Sequence, residues 1–197
     1  MYASFSGLVP LIYNTTAGSQ AGKAPRLKEV ISRLHAMDIN VDVALVQNTD
    51  DVLAAALQAV SAGAELILVS GGDGTVESAA NGVIGTDTTL GILPAGTRNN
   101  VARSLKIPLD LKAAVTMLRN GTVKRIGAGK VRVNGRQRWF LETFTVGLFS
   151  SLYPDADAIQ KGNVGRIANL LAAFASAPMA RFNIRVDGGA LEMKAMA

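Results

Sequence analysis

The 197-residue chain is 49% hydrophobic and 18% charged, with 20 Lys and Arg against 15 Asp and Glu for a net charge of +5, a globular composition with ample chain for a buried core. It has no Cys and one His, His35, which excludes disulfide frameworks, thiolate zinc sites, cysteine nucleophiles and His-rich metal sites and is compatible with a cytoplasmic setting. No basic residue precedes the apolar stretch of residues 1–10 and no apolar run nears the roughly 20 residues that span a bilayer, so a soluble protein without a secretory signal is expected.

Residues 8–13 form a short apolar run ending in the turn-rich Asn14-Thr15-Thr16-Ala17-Gly18-Ser19, the pattern of a buried strand entering a loop. Pro25 suits the first position of a helix in which Leu27, Val30, Ile31 and Leu34 recur at helical spacing, with His35 at its surface or boundary. A strand at 40–46 precedes a helix that Thr49 is expected to cap and that runs through Val52, Leu53, Ala56, Leu57 and Val60 to Gly63. The apolar strand 65–69 leads at once into Ser70-Gly71-Gly72-Asp73-Gly74-Thr75, followed by a helix over about 75–84, a strand at 89–93 and the loop Pro94-Ala95-Gly96-Thr97. A short helix through Val101 and Leu105 stops before Pro108, and Asp110 caps another through Ala114, Val115 and Leu118. Strands alternating with helices in this way predict an α/β domain over residues 1–126, with a doubly wound, mainly parallel sheet covered on both faces.

From residue 127 the pattern turns β-rich. Residues 130–133 and 138–146 flank Asn134-Gly135 as in a hairpin, 163–176 read as a helix stopped by Pro178, and 181–186 and 191–196 flank Asp187-Gly188-Gly189 as a second hairpin. A second, incomplete β-rich domain is therefore expected over 127–197, with Trp139, Phe140 and Phe144 read as core in preference to substrate groove. No internal repeat or low-complexity segment occurs.

Charge divides sharply along the chain. Residues 1–97 hold four basic and nine acidic residues, net −5, whereas residues 98–138 hold eleven basic residues and one acid, Asp110, net +10. Such a segment attracts nucleotide phosphates, an anionic membrane or nucleic acid, or is simply a solvated basic face. The absence of interleaved aromatics and of a recognised motif argues against nucleic acid.

In an open α/β sheet ligands bind outside the carboxyl ends of the strands, where three loops emerge here, 14–18, 71–75 and 94–100. Gly71, Gly72 and Gly74 permit close backbone approach, and a helix starting at Thr75 presents N–H groups to an anion. The same glycines would also serve a tight strand-to-helix turn. Asp73 is placed to contact a metal ion or its water shell. The spacing matches neither Gly-x-x-x-x-Gly-Lys-Ser/Thr nor Gly-x-Gly-x-x-Gly, which removes the main support for P-loop and Rossmann readings.

Taken together, Gly71-Gly72-Asp73-Gly74-Thr75 and Leu93-Pro94-Ala95-Gly96-Thr97-Arg98-Asn99-Asn100-Val101-Ala102-Arg103 resemble the catalytic domain of the diacylglycerol kinase family, which includes bacterial lipid kinases and sphingosine kinases. The resemblance extends from Asn14-Thr15-Thr16-Ala17-Gly18 to Phe140-Leu141 and Val146-Gly147. NAD kinases and phosphofructokinases share the Gly-Gly-Asp-Gly loop and the same kind of first domain, but the Gly96-Thr97-Arg98-Asn99 segment favours lipid kinases.

The resemblance implies transfer of the γ-phosphoryl group of ATP, with Mg²⁺, to a lipid hydroxyl. It implies that Asn14, Thr15, Thr16, Ala17 and Gly18 form the first nucleotide loop, that Thr49 follows the second strand, that Gly71, Gly72, Asp73, Gly74 and Thr75 match the phosphate loop, and that Val76 and Glu77 after it belong to the cofactor-binding segment. Thr97 and Asn99 complete the ATP site, Asp73 organises the metal, and Arg103 and Lys23 are charge partners or simply solvated. The implied partners are ATP, a lipid substrate and the anionic inner face of a membrane, met peripherally, with a homodimer allowed; Lys161 and Arg166 resemble a lipid-facing basic stretch or else flank a solvated helix end.

Departures from the family pattern are specific. Asn99-Asn100 stands for the usual Asn-Asp, Ile126-Gly127-Ala128-Gly129 for Ile-Asp-Leu-Gly, and Glu77-Ser78 for Asn-Glu; losing two carboxylates weakens hard-cation binding. The family's second domain runs further and carries an Asp general base near its end, a role no motif gives to Asp155 or Asp157. The expectation is a kinase fragment without its base; the alternative is a non-catalytic nucleotide- or lipid-binding module of the same fold.

Overall fold

The computed structural model describes residues 7–18, 27–133, 135–143, 167, 168, 172, 175, 178–186 and 189–196. Strands and helices alternate as β1 (Val9–Asn14), α1 (Leu27–His35), β2 (Val41–Val46), α2 (Thr49–Ser61), β3 (Leu66–Gly71), α3 (Asp73–Val83) and β4 (Thr89–Pro94). Helices α4 (Asn100–Ser104) and α5 (Leu111–Asn120) follow, then the hairpins β5 (Gly129–Val133) with β6 (Arg136–Phe140) and β7 (Met179–Val186) with β8 (Gly189–Met196).

The first four strands form one parallel sheet in the order β2-β1-β3-β4, the α/β arrangement expected. Side chains alternate between the faces of a strand, and both faces here are covered. On β3, Leu66 and Leu68 face a cluster with Val30 and Leu34 of α1 and Ala114 and Val115 of α5. Ile67 and Val69 face the other, with Val52 and Ala56 of α2 and Val76 and Ala79 of α3. Every residue of β3 is buried, which explains why its first four residues read as a continuous apolar run; each of Leu66, Ile67, Leu68 and Val69 contributes about 1.5–3 kcal/mol on burial. The chain leaves β1 for β2 on one side and returns through β3 on the other, so the strand order reverses at the β1/β3 crevice.

Several boundaries differ from those expected. Asn48, not Thr49, caps α2: its backbone is extended (φ −130°, ψ 170°) and its Oδ1 accepts from Asp51 N–H at 2.9 Å. Thr49 is already the first helical residue, so its hydroxyl is not in capping geometry. Helix α3 starts at Asp73 rather than Thr75, with Gly72 at its cap position. Asp110 caps α5 as anticipated, accepting from Ala113 N–H at 2.9 Å, and Gly63 ends α2 with a left-handed φ of +82°. Strand β6 ends at Phe140 instead of 146, while β7 and β8 each start two residues earlier than expected. His35 is exposed. Lys23, Pro25, Asn134, Phe144, Asp155, Asp157, Lys161 and Arg166 lie outside the described residues.

The chain separates into two compact units, Met1–Glu142 and Thr143–Ala197, while the change of pattern in the sequence lies at 126/127. The first hairpin falls in the first unit because α3 holds it: Trp139 N–H donates to Asn81 Oδ1 at 3.0 Å and Asn81 Nδ2 donates back to the Trp139 carbonyl at 2.9 Å. In the second unit residues 167, 168, 172 and 175 are helical, and β7 and β8 pair antiparallel from Met179↔Met196 to Val186↔Gly189.

Candidate functional site

At the carboxyl end of β1, Asn14 organises the first loop. Its Oδ1 accepts from the N–H (2.9 Å) and hydroxyl (2.8 Å) of Thr16, an Asx turn, and its Nδ2 donates to Thr75 Oγ1 at 2.8 Å. Thr15 donates from both its N–H (3.0 Å) and its hydroxyl (3.2 Å) to the Val46 carbonyl, and the Thr16 hydroxyl also lies 3.3 Å from the Gln47 carbonyl. The two threonines therefore lock the loop to the end of β2. Gly18 closes the turn with φ +64°.

The glycines of the second loop divide their work. A Cβ on Gly71 would overlap the Thr75 side chain, and one on Gly72 would lie 3.1 Å from Gly96 Cα, so both make room for protein rather than for a ligand. Only Gly74 faces open space, with nothing within 4 Å of where its Cβ would be. No side chain caps α3, and with the Thr75 N–H already donating to the Gly72 carbonyl at 3.0 Å the N–H groups of Asp73 and Gly74 are left for an anion. Thr75 is 6% exposed beneath them.

The third loop is closed by Asn99, which is buried and left-handed (φ 52°). Its Oδ1 accepts from Gly96 N–H at 2.9 Å and its Nδ2 donates to the Gly96 carbonyl at 2.7 Å. That conformation takes Asn99 out of capping geometry for α4, and Asp73 Oδ1 does the capping instead, accepting from Val101 N–H at 3.1 Å. Asp73 thus ties the second loop to the third and keeps one carboxylate oxygen beyond that contact.

A cavity of about 270 Å³ lies among these strand ends, lined by Asn14, Gly18, Thr49, Gly74 and Thr75 and also by Gln47. Of the residues singled out in the sequence, Asn14, Ala17, Gly18, Thr49, Gly72, Gly74 and Thr75 line this cavity, together with Gln47, Asn48, Val52 and Gly96. Thr97 is exposed on the neighbouring loop. The Val76 side chain is 3% exposed in the core cluster with Ile67 and Val69 of β3, and its N–H donates to the Gly72 carbonyl at 3.0 Å. Glu77 is directed to another segment, its Oε2 accepting from Leu141 N–H at 3.3 Å. Arg103 is exposed, and its Nε donates to the Arg98 carbonyl at 2.9 Å. Asn100 donates to Glu142 Oε2 at 3.3 Å. A larger groove of about 830 Å³ runs along β4 and shares no residue with the three loops.

Sequence reasoning missed Gln47, since a polar residue just past a strand has no periodic signature. It also missed Asn81, whose signal is a polar residue on the α3 face one turn beyond Glu77. No helix among the described residues is long and apolar enough to cross a membrane.

A family model described as "Diacylglycerol kinase catalytic domain" matches residues 9–131. The diacylglycerol kinase of Bacillus subtilis (strain 168) is 32% identical over 185 residues, covering 90% of this chain and 59% of the relative. That of Mycobacterium tuberculosis (strain ATCC 25618 / H37Rv) is 35% identical over 135 residues, covering 66% of this chain and 43% of the relative. The crystal structure of a diacylglycerol kinase from Bacillus anthracis str. Sterne matches with a TM-score of 0.67 at 27% identity, over 96% of this chain and 62% of that one. The chain thus spans less than two thirds of the length of these relatives.

Proposed function

The chain belongs to the diacylglycerol kinase catalytic domain family, and on that premise we propose that it holds Mg·ATP at the β1, β2, β3 and β4 strand ends and supplies the nucleotide-binding part of a lipid kinase. The observation that carries this reading is the Asn14–Thr75 hydrogen bond across the strand-order reversal, beside an uncapped α3 terminus and the open face of Gly74. Phosphoryl transfer depends chiefly on positioning and charge neutralisation. The N–H groups of Asp73 and Gly74 at the start of α3 would take the phosphates, and the Asn14 and Thr49 ends of the cavity the remainder of the nucleotide.

Asp73 suits a single carboxylate contact to Mg²⁺ that arrives with the phosphates, because one of its oxygens remains after Val101 is capped. No group of three or more His, Cys, Asp or Glu that could hold a metal ion occurs among the described residues. Mg²⁺ is commonly bound by one or two carboxylates plus substrate phosphates, so this donor set fits nucleotide-borne metal. Magnesium would neutralise charge on the transferring group; the protein's own part is to hold and orient the phosphates. We assign the proton-accepting base to none of the described residues.

Calorimetry with Mg·ATP tests the reading: saturable binding at millimolar concentration or below is expected, and a folded protein that binds neither ATP nor ADP would overturn it. Transfer of labelled phosphate to diacylglycerol should stay below about 1 s⁻¹, the low end of ordinary turnover, since general acid–base catalysis contributes about 10²–10⁴. The pairing of Asn100 with Glu142 in place of a free carboxylate favours the second reading, a nucleotide-binding module without turnover. ATP binding with no transfer in the full-length protein would select it.

A further inference from the structure

Three side chains on α3, each four residues from the next, accept backbone N–H groups from outside the helix. Asp73 accepts from Val101 (3.1 Å), Glu77 from Leu141 (3.3 Å) and Asn81 from Trp139 (3.0 Å). Residues at this spacing share a helix face, so one stripe joins the phosphate loop, α4 and the end of β6. Asn81 goes further than its neighbours, because its Nδ2 also donates to the Trp139 carbonyl at 2.9 Å. Its carboxamide therefore engages both polar groups of one residue, as an adjacent strand would. At about 1.5 Å rise per residue, Asn81 lies about 12 Å along the axis from Asp73, so a phosphate at the loop does not reach Trp139 itself.

We infer that Glu77 and Asn81 are positioning residues that transmit occupancy of the nucleotide loop to the end of β6, where the first unit hands over to the second at Glu142. An anion bonded to the first turn of α3 restrains that helix, and the β6 end is restrained with it because three hydrogen bonds hang it from the same helix. Asp73, Glu77 and Asn81 together make the helix a strut between nucleotide and outgoing strand. The inference rests on the loop holding Mg·ATP.

Trp139 is the chain's single tryptophan, and Lys130 Nζ lies 5.4 Å from its ring centroid, so its fluorescence reports on the clamp without interference. Mg·ATP binding is measured by calorimetry, and Trp139 emission and anisotropy are followed in a parallel titration. In the wild type the fluorescence change should share the calorimetric midpoint. Asn81→Asp is nearly isosteric but cannot donate to the Trp139 carbonyl. It should keep the affinity within about threefold and lose most of the fluorescence amplitude. Glu77→Gln retains an oxygen acceptor and should preserve the amplitude. A wild-type protein that binds ATP calorimetrically with no Trp139 response overturns the inference, as does full amplitude in Asn81→Asp. If Asn81→Asp fails to fold, Asn81→Ser, too short to bridge Trp139, takes its place under the same criteria. Absence of calorimetric binding in the wild type would instead sink the nucleotide reading, and this inference with it.

Discussion

Asn14, the last residue of β1, and Thr75, in the first turn of α3, lie 61 positions apart in sequence and are joined by a 2.8 Å hydrogen bond from Nδ2 to Oγ1. The same Asn14 closes its own loop through Oδ1. One carboxamide thus fixes the two loops that flank the reversal of strand order, where ligands of open α/β sheets bind.

Thr75→Val preserves shape at a site 6% exposed but removes the acceptor. Losing that bond should cost about 1–2 kcal/mol of stability, read as a lower midpoint in urea, and should weaken Mg·ATP binding by loosening the Asn14 loop. Wild-type values for both would separate this bond from the site.

Gly72 and Gly74 should respond in opposite ways. Gly72→Ala forces its Cβ against Gly96 Cα and should lower the melting temperature by loosening the second loop from the third. Gly74→Ala meets nothing within 4 Å and adds up to about 1 kcal/mol of helix propensity, so stability should hold or rise while ATP affinity falls. Thermal melts and calorimetry on the pair decide it; unimpaired ATP binding by Gly74→Ala would show that Gly74 does not face the phosphates.

The start of α2 offers a test of capping alone. Asn48→Ala removes the acceptor for Asp51 N–H and should destabilise by about 1 kcal/mol. Thr49→Ala should change stability by less than about 0.5 kcal/mol. Equal losses in denaturation would mean that Thr49 shares the capping role.

The basic segment from Arg98 to Arg138 tests membrane approach. Lys124, Arg132 and Arg138 are exposed, and each Lys or Arg near an anionic bilayer is worth about 1 kcal/mol, falling with salt. Binding to phosphatidylglycerol vesicles should exceed binding to neutral ones, and reversing these three residues to Glu should abolish the excess while ATP affinity is kept. Equal, weak binding to both vesicle types would leave the segment as a solvated basic face.

Much of the fold was legible because burial leaves a periodic trace. The unbroken apolar run of β3, the helical spacing of Val30 and Leu34, and Asp110 ahead of α5 are local signals, and the elements formed where they stand. The three glycine- and asparagine-bearing loops were legible for a related reason: turns at strand ends require particular residue types, and those types form motifs. What each side chain in them touches was not legible. Gly72 exists for Gly96, Asn99 for Gly96, Asp73 for Val101 and Asn81 for Trp139, and all but the second of these pairs bridge elements whose adjacency depends on the β2-β1-β3-β4 order and on how α3 meets β6. Sequence by itself determined which segments become strands, helices and loops, since those follow from short-range periodicity and turn chemistry. Only the tertiary structure decided which loop atoms face the cavity and which are bonded to protein, because hydrogen bonds between distant segments depend on strand order and helix placement that no local pattern encodes.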